Sequence, residues 1–224
     1  MPRRNAGLLL AAVLVAGAVL AGPVLAAAPD KAAVDKAFAE LPKYDWAGSR
    51  EMLNVIDQAV IASNGDAAAR AELETRLLGV LTSADATLAA KQYCCRKLSM
   101  IGTTKSLPAL SALLGDKDLS HMARYALERI PGEDVNKALR DAAGKLTGDL
   151  QIGMINSLGA RGDTGSVTML IGVLTSGDAN SAAAAAAALG RIGDKAAAAP
   201  LMAHAAKAAA GPAQGAACDA VLEL

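Results

Sequence analysis

Four short segments of this chain repeat one arrangement: Leu98-Ser99-Met100-Ile101-Gly102, Leu127-Glu128-Arg129-Ile130-Pro131, Leu158-Gly159-Ala160-Arg161-Gly162 and Leu189-Gly190-Arg191-Ile192-Gly193. Their leading leucines stand 29, 31 and 31 residues apart. A period of this length constrains the fold more than any other feature. A unit so short cannot bury its apolar face alone, so it is stabilised by stacking on its neighbours. Residues 89–116 read as one complete helix-turn-helix unit that sets the register. A second match is independent of the leucines: GVLTSADA at 79–86 and GVLTSGDA at 172–179 agree at seven of eight positions, at an offset of 93, three times 31.

The same register extends upstream and downstream. Ile61 stands four residues before Gly65, as Leu98 stands before Gly102, which predicts a longer first unit whose second helix runs through Leu73, Leu77, Leu78 and Leu81. Within each unit a Gly or Pro-Gly suits the end of the first helix, and Thr103, Thr104, Glu133, Asp163 and Asp194 follow as candidate starts for the second. Gly115-Asp116, Gly148-Asp149, Gly177-Asp178 and Gly211-Pro212 mark the turns between units. No run of alternating β-branched residues occurs, so the expected class is all-α. Residues 182–188 are all Ala. Ala has the best helix propensity but little apolar area, so this unit should depend on its neighbours. Residues 213–224 begin another first helix with Leu222 at the anchor position. No second helix follows, so the expected C-terminal end is an apolar face that is either truncated or covered by another chain.

Residues 1–26 have the pattern of a signal peptide. Arg3 and Arg4 give a positive start, residues 8–21 an apolar run, and Val24-Leu25-Ala26 a small-residue cleavage site. The expected location is exported, in the periplasm or cell envelope, with no stable membrane insertion after cleavage. Of 22 basic and 22 acidic residues, loss of Arg3 and Arg4 leaves a slight acidic excess. That balance argues against nucleic acid as partner. Aromatic residues are 2% of the chain, and none follows Tyr125, which removes the material for base stacking or cofactor-ring sandwiches. The three cysteines, Cys94, Cys95 and Cys218, do not form a disulfide framework. Cys94 and Cys95 are adjacent and point about 100° apart on a helix, so they do not bridge each other.

Residues 27–48 form a lead-in and capping segment in which Phe38, Tyr44 and Trp46 cluster. The favoured expectation is a hydrophobic plug over the first repeat; the alternative is an aromatic interaction patch. Residues 49–224 form the repeat array. The Leu-x-x-Ile-Gly anchors, Pro108 and Pro200 early in second helices, and the ending Leu113-Leu114-Gly115-Asp116 resemble HEAT repeats. More narrowly they resemble the short HEAT-like type first associated with phycobilisome lyases. Residues 95–102 and 119–131 are also similar to exported HEAT-repeat proteins of planctomycete-type bacteria. The resemblance implies a right-handed α-α superhelix, a HEAT-like solenoid of about five helix pairs, whose second helices line the groove. Metal-dependent hydroxylases of this fold carry paired His-Glu motifs. Here His121 and His204 are the only histidines and neither precedes Glu, so no metal and no cofactor is expected.

The most polar unit supplies the site candidates. Lys137, Asp141 and Lys145 recur at four-residue spacing with Arg140 adjacent, forming one charged stripe on the second helix. His121 and Arg124 are candidates on the first. The stripe fits an acidic peptide or protein segment; it fits equally a solvated face laced with ion pairs, and Arg124 or Arg129 could tie repeats together through Glu128 and Glu133. Cys94 and Cys218 both fall four residues before an anchor, which assigns them to buried sites. At an uncovered end Cys218 would be a candidate intermolecular thiol for homo-association. The functional expectation is a protein-interaction scaffold or adaptor without catalytic residues. The alternatives are a catalytic HEAT-like protein of lyase or hydroxylase type, or an assembly factor acting through the C-terminal end.

Overall fold

A computed structural model of the protein describes residues 28–208 and 211–224. The signal-peptide expectation falls on residues 1–26 and lies outside the described residues. The described chain holds twelve α-helices and no strand. They are α1 (Lys31–Glu40), α2 (Glu51–Ala62), α3 (Ala67–Thr82), α4 (Leu88–Ile101), α5 (Leu107–Ala112), α6 (Ser120–Leu127), α7 (Glu133–Ala143), α8 (Gly148–Ala160), α9 (Val167–Ser176), α10 (Ala179–Ile192), α11 (Ala198–Lys207) and α12 (Pro212–Glu223). Helices α4, α6, α8, α10 and α12 touch in succession and form one layer; α3, α5 and α7 touch in succession in the other, as do α9 and α11. This is an all-α solenoid of stacked helix pairs.

The period seen in the sequence is the packing period. Leu98, Leu127, Leu158 and Leu189 are fully buried, as are Cys94, Ala123, Met154 and Ala185 one turn earlier. Helices α3, α4 and α10 start at side-chain caps: Asp66 accepts from the amides of Ala68 and Ala69, Thr87 from Ala90, and Asp178 from Asn180 and Ser181. Of the expected second-helix starts, Thr103 and Asp194 accept from the amides of Lys105 and Ala196, whereas Glu133 and Asp163 cap nothing: α7 starts at Gly132 with no side-chain cap, and the Asp163 carboxylate is taken by Arg140. Gly193 ends α10 at φ 72°, the left-handed geometry that glycine adopts without strain. Gly102 ends α4 differently, with an extended backbone. A Cβ there would sit 2.4 Å from the Leu98 carbonyl oxygen, so crowding rather than φ requires glycine.

Two anchors differ from expectation. Ile61 is 60% exposed, and Val60, with Ile56 one turn earlier, is buried in its place. Leu222 is 86% exposed; the buried residues of α12 are Ala217 and Ala220. Ala220 stands 31 residues after Leu189, so the period itself marked the correct position. The physical reason is close approach: a Cβ on Gly190 would lie 2.8 Å from Ala220 Cα, and only a small residue fits there. Cys218 is accordingly exposed rather than buried.

At the N-terminal end Phe38, Leu41 and Tyr44 are buried in the main core cluster, and the Arg76 guanidinium lies 4.4 Å over the Phe38 ring. Thr87 ties this segment to α4: its amide donates to Pro42 O and its hydroxyl to Tyr44 O. Trp46 stays exposed, edge-on to Tyr44 at 5.8 Å. The core falls into two clusters that meet on α8, where Met154 and Leu158 belong to the first and Ile155 to the second.

Candidate groove between α5 and α7

Helix α7 starts after Gly132, at φ 124°, with Glu133 and Asp134 in its first turn, where acidic side chains favour the helix dipole. Val135, Leu139 and Ala143 form its buried face. That periodicity leaves Lys137 and Asp141 on the solvent side. Lys137 Nζ donates to Asp141 Oδ2 at 2.7 Å, and this hydrogen bond holds the Asp141 carboxyl below the usual carboxylate range. The helix stops at Ala143 with Gly144 as its cap, so Lys145 sits just past the end. Among the described residues Lys145 makes no ion pair within 4 Å.

Asp141 and Lys145 edge a groove of about 320 Å³ between α5 and α7. Leu114, Ala138, Ala142 and Leu146 supply its apolar surface, and Ser111 lines it with a buried hydroxyl that has no hydrogen-bond partner. The wall from α5 was not legible in the sequence, because only the stacking of second helices brings residues 111–115 beside 138–146.

The other site candidates have partners elsewhere. Arg140 turns away from the stripe. Its Nη1 donates to both Asp163 carboxylate oxygens at 2.7 and 2.8 Å, and its Nη2 donates to Glu133 Oε1. Those bonds raise the Arg140 pKa and, on the other side, lower that of Glu133. Asp163 is only 3% exposed, so the pair joins α7 to the turn before α9. Arg124 belongs to the other layer. It donates to Gly153 O at 3.1 Å and Ser157 Oγ at 3.2 Å, and burial lowers its pKa. Ser157 Oγ in turn donates to Glu128 Oε1 at 2.6 Å. His121 is exposed, with Nδ1 3.4 Å from Arg124 Nη2. The expected stripe on the second helix therefore loses Arg140: Lys137, Asp141 and Lys145 face solvent beside the groove, whereas Arg140 and, on the first helix, Arg124 hold repeats together. Arg129 caps its own helix through Tyr125 O and stacks on the Tyr125 ring at 3.9 Å.

Two structural residues were missed. Arg161 donates through Nη1 to Leu127 O, Glu128 O and Ile130 O at 2.7, 3.2 and 2.8 Å, and through Nη2 to Gly132 O. It closes the C-terminal end of α6 in the preceding repeat. Glu74, 2% exposed, accepts from Thr103 N, Thr103 Oγ1 and Ser106 Oγ and caps the turn before α5. Cys94 and Cys95 are both buried; burial pushes the Cys94 thiol up strongly and the Cys95 thiol up to about 12. Neither is set up as a nucleophile. Among the described residues no three His, Cys, Asp or Glu side chains converge to hold a metal ion. None of the described helices is long and apolar enough to cross a membrane.

Comparison with known families bears on the second half of the array. Residues 136–221 match the family model for HEAT repeats. No curated protein matches the chain. Among solved structures, human deoxyhypusine hydroxylase in complex with glycerol is similar with a TM-score of 0.42 and 16% identity, over 85% of this chain and 95% of that one. A likeness of that size carries no argument about activity.

Proposed function

We propose that this protein is an exported interaction scaffold of the cell envelope, an adaptor that holds a protein or peptide partner and performs no catalysis. The observation that carries this reading is the division of labour among its charges. Arg124, Arg140 and Arg161 are spent on repeat-to-repeat ties, whereas Lys137, Asp141 and Lys145 stand free of them beside an open groove. Repeat arrays offer extended surfaces of this kind, and their binding specificity resides in side chains the stack does not consume. Export rests on the sequence of residues 1–26.

The test uses the full chain. Capture from the envelope fraction is run with the wild-type protein and with the Lys137→Glu, Lys145→Glu double variant. A partner enriched by the first and lost with the second supports the scaffold; identical capture by both overturns it. Export is checked separately by N-terminal sequencing of the cellular protein, where Ala27 as first residue is expected and an intact Met1 in the cytosol contradicts it.

A further inference from the structure

We infer that the array is hinged between the α6/α7 and α8/α9 pairs: the contact of α7 with α8 is the pivot, and Arg124, Arg140 and Arg161 are latches that hold the closed form. This inference stands apart from the scaffold reading.

Both layers thin out at one place. Helix α6 packs along α4 but touches α8 far less, and α7 and α9 barely meet, whereas α7 and α8 pack closely. The cause lies at the face of α8. A Cβ on Gly153 would lie 2.8 Å from the Arg124 guanidinium, so that side chain stands between α6 and α8 and fills the gap. Farther along the stack backbones come together instead: a Cβ on Gly159 would meet Ala188 Cα at 2.8 Å, and one on Gly190 would meet Ala220 Cα at the same distance.

The seam is therefore closed by polar ties. On the α6 side Arg124 donates to Gly153 O and Ser157 Oγ, and Arg161 donates to Leu127 O, Glu128 O and Ile130 O. On the α7 side Arg140 holds Asp163. Such groups exchange their partners for water when a surface opens, and they bury little apolar area, so opening here costs less than parting α8 from α10. The apolar core also divides at α8, where Met154 and Leu158 side with one cluster and Ile155 with the other. Polar ties alone do not make a hinge. Lys97 with Asp57, and Glu74 with Thr103, likewise cross from α2 and α3 to α4 and the turn after it. There, however, one core cluster runs through the junction, and Thr87 straps the N-terminal segment across it. Opening at the α7/α8 pivot turns the α5/α7 groove relative to the α9/α11 face, so the second-helix surface takes two shapes.

The measurement is the distance distribution between two spin labels on the full chain. The cross-seam pair is Met100→Cys with native Cys218. Within-body pairs are Lys36→Cys with Met100→Cys in a Cys218→Ser background, and Thr168→Cys with native Cys218. These positions are exposed, and the buried Cys94 and Cys95 stay unlabelled. The latch variant is Arg140→Gln with Asp163→Asn, which removes the pair without leaving a buried charge. Loss of this charge-assisted tie should raise the open population on the order of tenfold, broadening the cross-seam distribution while both within-body distributions keep their widths. Arg140→Lys, which keeps the charge but loses the fork shared by Asp163 and Glu133, should fall between; if the double variant does not fold, it carries the test alone. A cross-seam width that matches the within-body widths in the wild type and in the variants overturns the hinge. Broadening of all three pairs also overturns it, because the whole array would then be loose. A broad wild-type distribution that the variants leave unchanged overturns the latches.

Discussion

Arg161 shows how one side chain can join two repeats. Its guanidinium satisfies four carbonyl groups at the end of α6 and Asn136 on α7, all from the preceding unit. Hydrogen bonds to a charged group are worth about 1.5–3 kcal/mol, and unsatisfied buried carbonyls add to the loss. Arg161→Met should therefore destabilise the protein by about 2–3 kcal/mol in urea unfolding; a change under about 0.5 kcal/mol would show that water replaces the guanidinium. The thiols give a second test. Cys94 and Cys95 are buried with raised pKa, while Cys218 is exposed. At pH 8 an aromatic disulfide reagent should modify one thiol quickly and the other two only on unfolding. The fast phase should vanish in Cys218→Ser, and two fast thiols would refute the packing of α4.

Helix pairs in the second half meet through small residues. A Cβ on Gly159 would lie 2.8 Å from Ala188 Cα, so α8 and α10 pack at the distance glycine permits. Gly159→Leu forces them apart and should cost at least about 1–3 kcal/mol. Gly79 is the contrast: it lies inside α3 with nothing within 4 Å of an added Cβ. Gly79→Ala should raise stability by about 0.5–1 kcal/mol through helix propensity alone. The two melting temperatures should move in opposite directions.

Caps and ion pairs add a pH dependence. Asp178 has a lowered pKa because it accepts from Ser181 Oγ, then from the amides of Ser181 and Asn180. Its stabilisation is present above the unfolded carboxylate range near pH 4 and disappears as pH falls through the lower folded value. The Cys95 thiol works with the opposite sign. Its folded pKa is raised, so stability is intact below about pH 8.5 and declines as pH rises toward 12. Melting temperature should be nearly flat between pH 5 and 8 with respect to these groups and fall on both sides. In Asp178→Asn the acid-side fall should be shallower.

The whole molecule is held as two core clusters joined at α8. Half of the buried residues of the second are alanines, Ala185, Ala186, Ala188, Ala197, Ala217 and Ala220, which bury less apolar area per residue than the leucines and isoleucines of the first. In a stacked array each unit contacts only its neighbours, so local stability varies along the chain. Amides of α11 and α12 should exchange with solvent before those of α4 and α6. Equal protection throughout would indicate one cooperative unit.

The repeat, the helical class, the caps at Thr103 and Asp194 and the four buried leucines from Leu98 to Leu189 follow from the sequence alone. Spacing and residue type specify them locally, and each recurs. The failures have one cause. Ile61 and Leu222 are larger and more apolar than Val60 and Ala220, yet burial is decided by where a helix is clamped against its neighbours, and close approach at Gly190 selected the small residue. The candidate site divided for the same reason. Four-residue spacing could place Lys137 and Asp141 on one face. It could not tell that Arg140 finds Asp163 on the following repeat, or that Ser111 and Leu114 wall a groove beside Lys145, because those partners lie far along the chain and only stacking brings them together.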